Sequence, residues 1–199
     1  MYFLLATHNK GKVREIRLAL SRFSITIESL DSRGPLPEAQ ENGSTFTENA
    51  RLKALHYHHL TGLPTLAEDS GLAVDELGGE PGIHSARYAP TDEKRIAKLL
   101  KRMESLSGST DRTARFVSAI CLILPHRVIE VVGEVQGRII PAPRGDQGFG
   151  YDPVFYHAPL DKTFAQMSSE EKNGVSHRAE ALKKLVGELE KLGELTADR

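Results

Sequence analysis

Hydrophobic positions along the chain follow two alternating periods. Residues 2–6 form a short apolar run that stops at polar Thr7-His8-Asn9, the pattern of a buried strand ending in a loop. Val13, Ile16, Leu20 and Phe23 then recur on one helical face, and Ile25-Thr26-Ile27 alternates as a strand does. Residues 31–44, rich in Pro, Gly, Ser and acids, read as a loop. Thr45 and Glu48 fit a capping box opening a helix to about Leu60. Residues 66–77 read as two strand-like stretches broken at Ser70-Gly71, with turns at Gly78-Gly79 and Pro81-Gly82. From Thr91, the positions Ile96, Leu99, Leu100, Met103 and Leu106 mark an amphipathic helix. Residues 115–124 and 127–140 read as two long strands joined by a hairpin at Pro125-His126. Leu182, Leu185, Val186, Leu189 and Leu192 mark a C-terminal helix, followed beyond Gly193 by a polar tail.

Strands and helices therefore mix without strict βαβ alternation, and long neighbouring strands in the second half favour antiparallel pairing. The expected fold is α/β: a mixed sheet with flanking helices, in two lobes around a central active-site cleft. The chain has 199 residues, the length of a single domain (1–199) at about 100–200 residues per domain. Hydrophobic residues at 39% are enough for an ordinary core. Lys+Arg and Asp+Glu nearly cancel, 26 against 27, which argues against a protein that coats nucleic acid. A single cysteine, Cys121, excludes an internal disulfide and reads as a core residue among Ile120, Leu122 and Ile123. No apolar run approaches the ~20 residues that span a bilayer, and the start lacks the basic segment and cleavage site of a signal peptide. A cytoplasmic protein without a membrane partner is expected.

Four segments carry chemistry. The first, Thr7-His8-Asn9-Lys10-Gly11-Lys12, follows a strand and opens a helix. Free N–H groups and the positive end of the helix dipole suit a phosphate there, and Lys10 and Lys12 add charge; a helix start with solvated lysines has the same pattern. It is not a G-x-x-x-x-G-K-[ST] loop, so a P-loop NTPase is not supported. The second is acidic: Glu68 and Asp69 precede Ser70-Gly71 at what reads as a strand end, with Glu41 and Glu48 upstream. Carboxylates converging in this way are what Mg²⁺ takes as oxygen ligands, although the capping box alone accounts for Glu48. The third, Gly148-Phe149-Gly150-Tyr151-Asp152-Pro153, presents an aromatic ring between glycines, either for a base to stack on or as a plug of the core. The fourth, residues 168–178, opens with a capping box at Ser168 and Glu171 and carries Lys172, His177 and Arg178, three donors just ahead of the last helix. His56, His58 and His59 read as a solvated helix face, since nothing nearby completes a metal site.

Taken in order, the segments A-T-H-N-K-G-K, T-F-T-E-N-A-x-x-K-A, A-E-D-S-G-L-A-V-D, G-G-x-P-G-I-H-S-A-R-Y, G-F-G-Y-D-P and E-E-K-N-x-x-S-H-R resemble the inosine/xanthosine triphosphate pyrophosphatase family from Ala6 to Leu182. The resemblance implies an elongated α/β homodimer. Its activity would be Mg²⁺-dependent hydrolysis of deaminated purine nucleoside triphosphates (ITP, dITP, XTP) to monophosphate and pyrophosphate, clearing them from the nucleotide pool. It also implies residue roles. Thr7, His8, Asn9, Lys10, Gly11 and Lys12 would hold the phosphates, with Lys53. Asp69 would be the proton acceptor and share the metal with Glu41, and Ser70 would touch the substrate. Phe149, Gly150, Tyr151 and Asp152 would meet the base and sugar, and Lys172, His177 and Arg178 would read the base.

Overall fold

The computed structural model describes residues 1–105 and 112–195. Seven strands, β1 (Tyr2–Leu5), β2 (Thr26–Ser29), β3 (Thr65–Val74), β4 (Thr113–Leu124), β5 (Arg127–Ile139), β6 (Phe155–His157) and β7 (Lys162–Thr163), form one sheet in the order β2-β1-β3-β4-β5-β6-β7. The sheet is mixed: β1 pairs in parallel with β2 and β3, whereas β6 pairs antiparallel with β5 and β7. The helices are α1 (Lys10–Leu20), α2 (Phe46–Thr61), α3 (Asp92–Glu104), α4 (Ser169–Val175) and α5 (His177–Lys191). The α/β class, the mixed sheet and the tight turn at Pro125-His126 agree with the hydrophobic pattern.

Contacts divide the chain into two compact units, and β3, β4 and β5 each contribute residues to both. The first unit holds residues 1–69, 118–133 and 177–199. Side chains of a strand alternate between faces, and here each face has its own helices. Phe3, Leu5, Leu66, Ile120 and Leu122 pack with Ile16 and Leu20 of α1 and Leu182, Leu185 and Leu189 of α5. Their neighbours Leu4, Ala67, Ala119, Cys121 and Ile123 pack with Ala50, Ala54 and Tyr57 of α2. Cys121 is thus a core residue, and burial pushes its thiol up to about 12. Leu195 also packs into the first of these cores, so the tail is not polar throughout.

The second unit, residues 70–117 and 134–176, is built on Leu72 and Val74 of β3, Ile96, Leu99 and Met103 of α3, and a cluster of three rings. The Phe116 centroid lies 4.6 Å from Phe155, and that of Phe155 4.9 Å from Phe164. Leu106, which the apolar pattern adds to the helix from Thr91, lies outside the described residues.

Two expectations are corrected. Residues 65–74 form one unbroken strand, not two stretches, and Gly71 makes no turn. Its missing Cβ is needed because Ser85 Oγ and the Gly82 carbonyl occupy the space a side chain would take. Ser85 Oγ accepts from Leu72 N–H at 2.9 Å and donates to Gly82 O at 2.6 Å, binding this strand to the short helix over 82–87. His177 and Arg178 are the first turn of the last helix itself, since α5 begins at His177.

Candidate active site

Alternation along β3 fixes where its two carboxylates go. Glu68 follows Leu66 toward the α1 and α5 side, and Asp69 follows Ala67 toward α2. On α2, Asn49 and Lys53 are four residues apart and share a face. Asn49 Nδ2 donates to Asp69 Oδ2 at 3.1 Å, and its Oδ1 accepts from Gly43 N–H at 2.8 Å. Lys53 Nζ lies 2.9 Å from Glu41 Oε2 and donates to the Glu68 carbonyl at 3.2 Å. Burial pushes the Asp69 carboxyl above its ordinary range; the charges of Lys12 and Lys53 and the Asn49 hydrogen bond oppose that, and Glu41 adds to it. Asp69 therefore lies inside the strand, not at its end, within the fields of two lysines and a second carboxylate.

Glu68 is 1% exposed. Its Oε1 accepts from Ser118 Oγ at 2.7 Å and from Arg178 Nε at 3.0 Å, and Arg178 Nη2 lies 2.9 Å away. Lys12 Nζ stands 3.4 Å from Oε2. Burial alone would raise this carboxyl, but Arg178, Lys12 and the Ser118 hydrogen bond together hold it well below the usual carboxylate range. Arg178 also pairs with Glu15 on α1. Arg178 and His177 are buried, 2% and 4% exposed, and the Arg178 fork in this structure is engaged by two carboxylates.

The α1 start is capped as its sequence suggests. Asn9 Oδ1 accepts from Lys12 N–H at 3.1 Å, and Thr7 Oγ1 accepts from Asn9 N–H at 3.1 Å. These caps leave Lys12 directed at Glu68, and burial lowers its ammonium pKa against the raising pull of that carboxylate. The other residues of the segment diverge. His8 Nδ1 pairs with Asp31 at 2.7 Å, and Lys10 lines a shallow surface groove with Arg14, Arg17 and Asp31. Thr45 Oγ1 caps α2 by accepting from Glu48 N–H at 3.1 Å, while the Glu48 carboxylate accepts from the hydroxyl and N–H of Ser44, one residue before the cap.

In the second unit, Gly148 and Gly150 adopt φ of +79° and +64°, values that favour glycine. Phe149 N–H donates to Asp152 Oδ2 at 2.9 Å, and Lys172 Nζ reaches the same oxygen at 2.5 Å while standing 4.8 Å from the Phe149 ring centroid. Tyr151 is buried, its hydroxyl donating to Ser85 O at 3.1 Å. The structure thus brings Lys12, Lys53, Glu41, Glu68 and Asp69 together in the first unit, and Phe149, Gly150, Tyr151, Asp152 and Lys172 in the second. His56 and His58 bond the carbonyls of Pro37 and Leu63, and among the described residues no three His, Cys, Asp or Glu side chains gather around one point.

Asn49, Glu15, Ser118 and Asp92 were not expected from the sequence. Ser118 had a signal: it is a lone polar residue between Phe116 and Ile120 on one face of an apolar strand, whereas Asn49 looks like an ordinary polar residue one turn from Lys53. Glu15 and Asp92 look like ordinary helix-surface acids until the fold gives Glu15 to Arg178 and Asp92 to the Gly150 N–H.

The chain matches the Ham1 family over residues 3–188. It belongs to that family. A protein of Symbiobacterium thermophilum named dITP/XTP pyrophosphatase is 51% identical over 193 residues, covering 96% of this chain and 96% of that protein. One of the same name from Syntrophobacter fumaroxidans is 49% identical over 190 residues, 95% of this chain and 82% of its own length. The solved HAM1 protein of Coxiella burnetii is similar at a TM-score of 0.87 and 38% identity, over 96% of this chain and 99% of that one. This Ham1 chain also has, among its described residues, no helix long and apolar enough to cross a membrane.

Proposed function

We propose that this protein hydrolyses deaminated purine nucleoside triphosphates, ITP, dITP and XTP, to the monophosphate and pyrophosphate. One observation carries the reading: a carboxylate lifted by burial, Asp69, held by Asn49 beside two lysines and a second carboxylate. A general base works best when its pKa is raised toward the working pH, and lysines are the partners a phosphate chain requires.

The donor set of Glu41 and Asp69 fits Mg²⁺, which takes hard oxygen ligands from one or two carboxylates and completes its shell with waters and substrate phosphates. When bound, that ion would supply charge neutralisation along the phosphates. Lys53, which lies 2.9 Å from Glu41 in this structure, would be available to the phosphates if Glu41 held the cation. Lys12 and the capped start of α1, with Thr7, Asn9 and Gly11, hold the chain from the other side. Lys10 adds positive charge to this segment, and His8 bonds Asp31 beside it. Asp69 takes a proton from a water whose oxygen bonds the α-phosphorus. The bond from that phosphorus to the bridging oxygen breaks, and pyrophosphate leaves with the electron pair. Positioning and electrostatics supply most of the rate.

Base recognition falls to Phe149 as a stacking ring, with Gly150, Tyr151, Asp152 and Lys172 shaping its loop, and to donors at the first turn of α5, His177 and Arg178. Hypoxanthine and xanthine present an acceptor oxygen at C6, where adenine presents an amino group. A donor facing a donor costs ~1–3 kcal/mol. Guanine shares the oxygen, and its 2-amino group is rejected separately. Ser70 follows the base and touches the substrate. The reading includes a cytoplasmic homodimer with no nucleic-acid or membrane partner.

The test is pyrophosphate release from a panel of ITP, dITP, XTP, GTP and ATP, with and without EDTA. Release confined to the deaminated purines and lost with EDTA supports the reading. Equal efficiency on GTP and ITP defeats the selectivity, and no release from any of them defeats the activity.

A further inference from the structure

The two peptide N–H groups that flank the Phe149 α-carbon are each held by a carboxylate. Phe149 N–H donates to Asp152 Oδ2, in the same loop. Gly150 N–H donates to Asp92 Oδ2 at 2.7 Å, 58 residues away in sequence. One bond fixes the peptide plane before Phe149 and the other the plane after it, so together they set its φ and ψ and the direction of its ring. Asp92 is the first residue of α3, which is capped by Thr91 Oγ1 on Lys94 N–H, and its other oxygen takes Arg95 Nη1 at 2.6 Å. Arg95 is itself anchored on the Ala89 carbonyl at 2.8 Å. The carboxylate that reaches Gly150 therefore has a fixed orientation and a helix behind it.

Gly150 adopts φ of +64° and a Cβ there would meet nothing within 4 Å. Space does not dictate the loop's conformation at this residue, and the bond to Asp92 is what pins it. On the Asp152 side, the loop has its own clamp, through Lys172 at 2.5 Å and the Tyr151 hydroxyl on Ser85.

We infer that Asp92 is a positioning residue for purine recognition: through the Gly150 N–H it holds Phe149 in the orientation that receives the base. This rests on reading Phe149 as the stacking platform, so the test separates the two claims. Steady-state kinetics with dITP are compared for the parent protein, Asp92→Ala, Asp92→Asn, Arg95→Ala and Phe149→Ala, each with its melting temperature. Loss of a charge-assisted hydrogen bond predicts that Asp92→Ala raises KM by about ten- to hundredfold with kcat within about twofold. Asp92→Asn keeps an acceptor oxygen for Gly150 N–H and restores most of the KM. Arg95→Ala, which loosens the Asp92 carboxylate but leaves its oxygen for Gly150 N–H, raises KM by less than Asp92→Ala does.

If Phe149→Ala raises KM and Asp92→Ala does not, the assignment to Asp92 falls while the stacking reading stands. If Phe149→Ala leaves KM and the purine preference unchanged, the stacking reading falls and takes this one with it. Asp92→Asn as defective as Asp92→Ala makes the charge, not the bond to Gly150, the active feature and overturns the proposal. Should Asp92→Ala fail to fold, Asp92→Ser, compatible with a helix start but too short to reach Gly150, gives the same comparison.

Discussion

Glu68 and Asp69 are adjacent on β3, yet their carboxylates leave opposite faces of the strand into opposite chemical settings. Glu68 meets Arg178, Ser118 and Lys12 and is held ionised. Asp69 meets Asn49, and burial raises its carboxyl. One residue anchors the first unit, and the other is the general base proposed above.

Asp69→Asn should therefore separate activity from stability. The amide removes the proposed base, and loss of a general base costs on the order of 10²–10⁴ in rate. The folded carboxyl lies above its unfolded value, so its ionisation opposes folding at neutral pH. The variant should melt at the same temperature as the parent or higher while its pyrophosphate release collapses. Near-parent turnover removes Asp69 from the mechanism.

Glu68→Gln should do the reverse to stability. It takes the charge from between Arg178 and Lys12, leaving Glu15 to balance a buried guanidinium, and breaking a buried pair costs about 3–5 kcal/mol. Because the folded carboxyl lies below its unfolded value, the contribution of Glu68 is present in full above the ordinary 4.5 and is lost as the pH falls below it. Urea denaturation at neutral pH should show the large gap between parent and variant, and the gap should narrow under acid. A gap that is constant with pH would assign the loss to packing.

Periodicity in the sequence was enough for the α/β class, α1, α3, α5 and the β4–β5 hairpin, because each buries a whole stripe or face, and a capping signal at Thr45 marked α2. It misread residues 65–74, because Ser-Gly is a turn signal by local preference and only the tertiary approach of Ser85 and Gly82 turns Gly71 into a strand residue. Lys12, Glu41 and Asp69 are visible as chemistry in the sequence, and Lys53 only through the family resemblance. That Glu68 belongs to a buried ion network follows only from strand alternation once the sheet is in place. Glu15 and Asp92 act through partners 163 and 58 residues away, a separation that no local pattern encodes.

Gly133 and Gly187 offer a paired test of how α5 sits on β5. A Cβ at Gly133 would run into the backbone of Ala181 and His177, which cannot turn aside, whereas one at Gly187 meets nothing within 4 Å. Gly133→Ala should force α5 from its seat, with a loss of about 1–3 kcal/mol as in other overpacked sites. Gly187→Ala, in a helix interior, should gain about 0.5–1 kcal/mol. Opposite shifts in melting temperature are expected. A neutral Gly133→Ala would mean that the close approach of strand and helix relaxes freely.

The pH dependence of kcat/KM should be a bell whose two limbs belong to named groups. Asp69 must be ionised to accept a proton, and burial places its carboxyl above the ordinary 3.8, so activity falls as the pH drops through that raised value. Lys12 must be protonated to hold phosphate, and burial, with Lys53 and Arg178 adding to it, outweighs Glu68 and places its ammonium below the ordinary 10.5. Activity therefore falls again as the pH rises through that lowered value. Lys12→Arg keeps the charge at every accessible pH, so it should move the alkaline limb upward and leave the acid limb in place, even where the longer fork costs some rate. An alkaline limb unmoved in Lys12→Arg would pass that limb to another group, and an acid limb that persists in the residual activity of Asp69→Asn would do the same for Asp69.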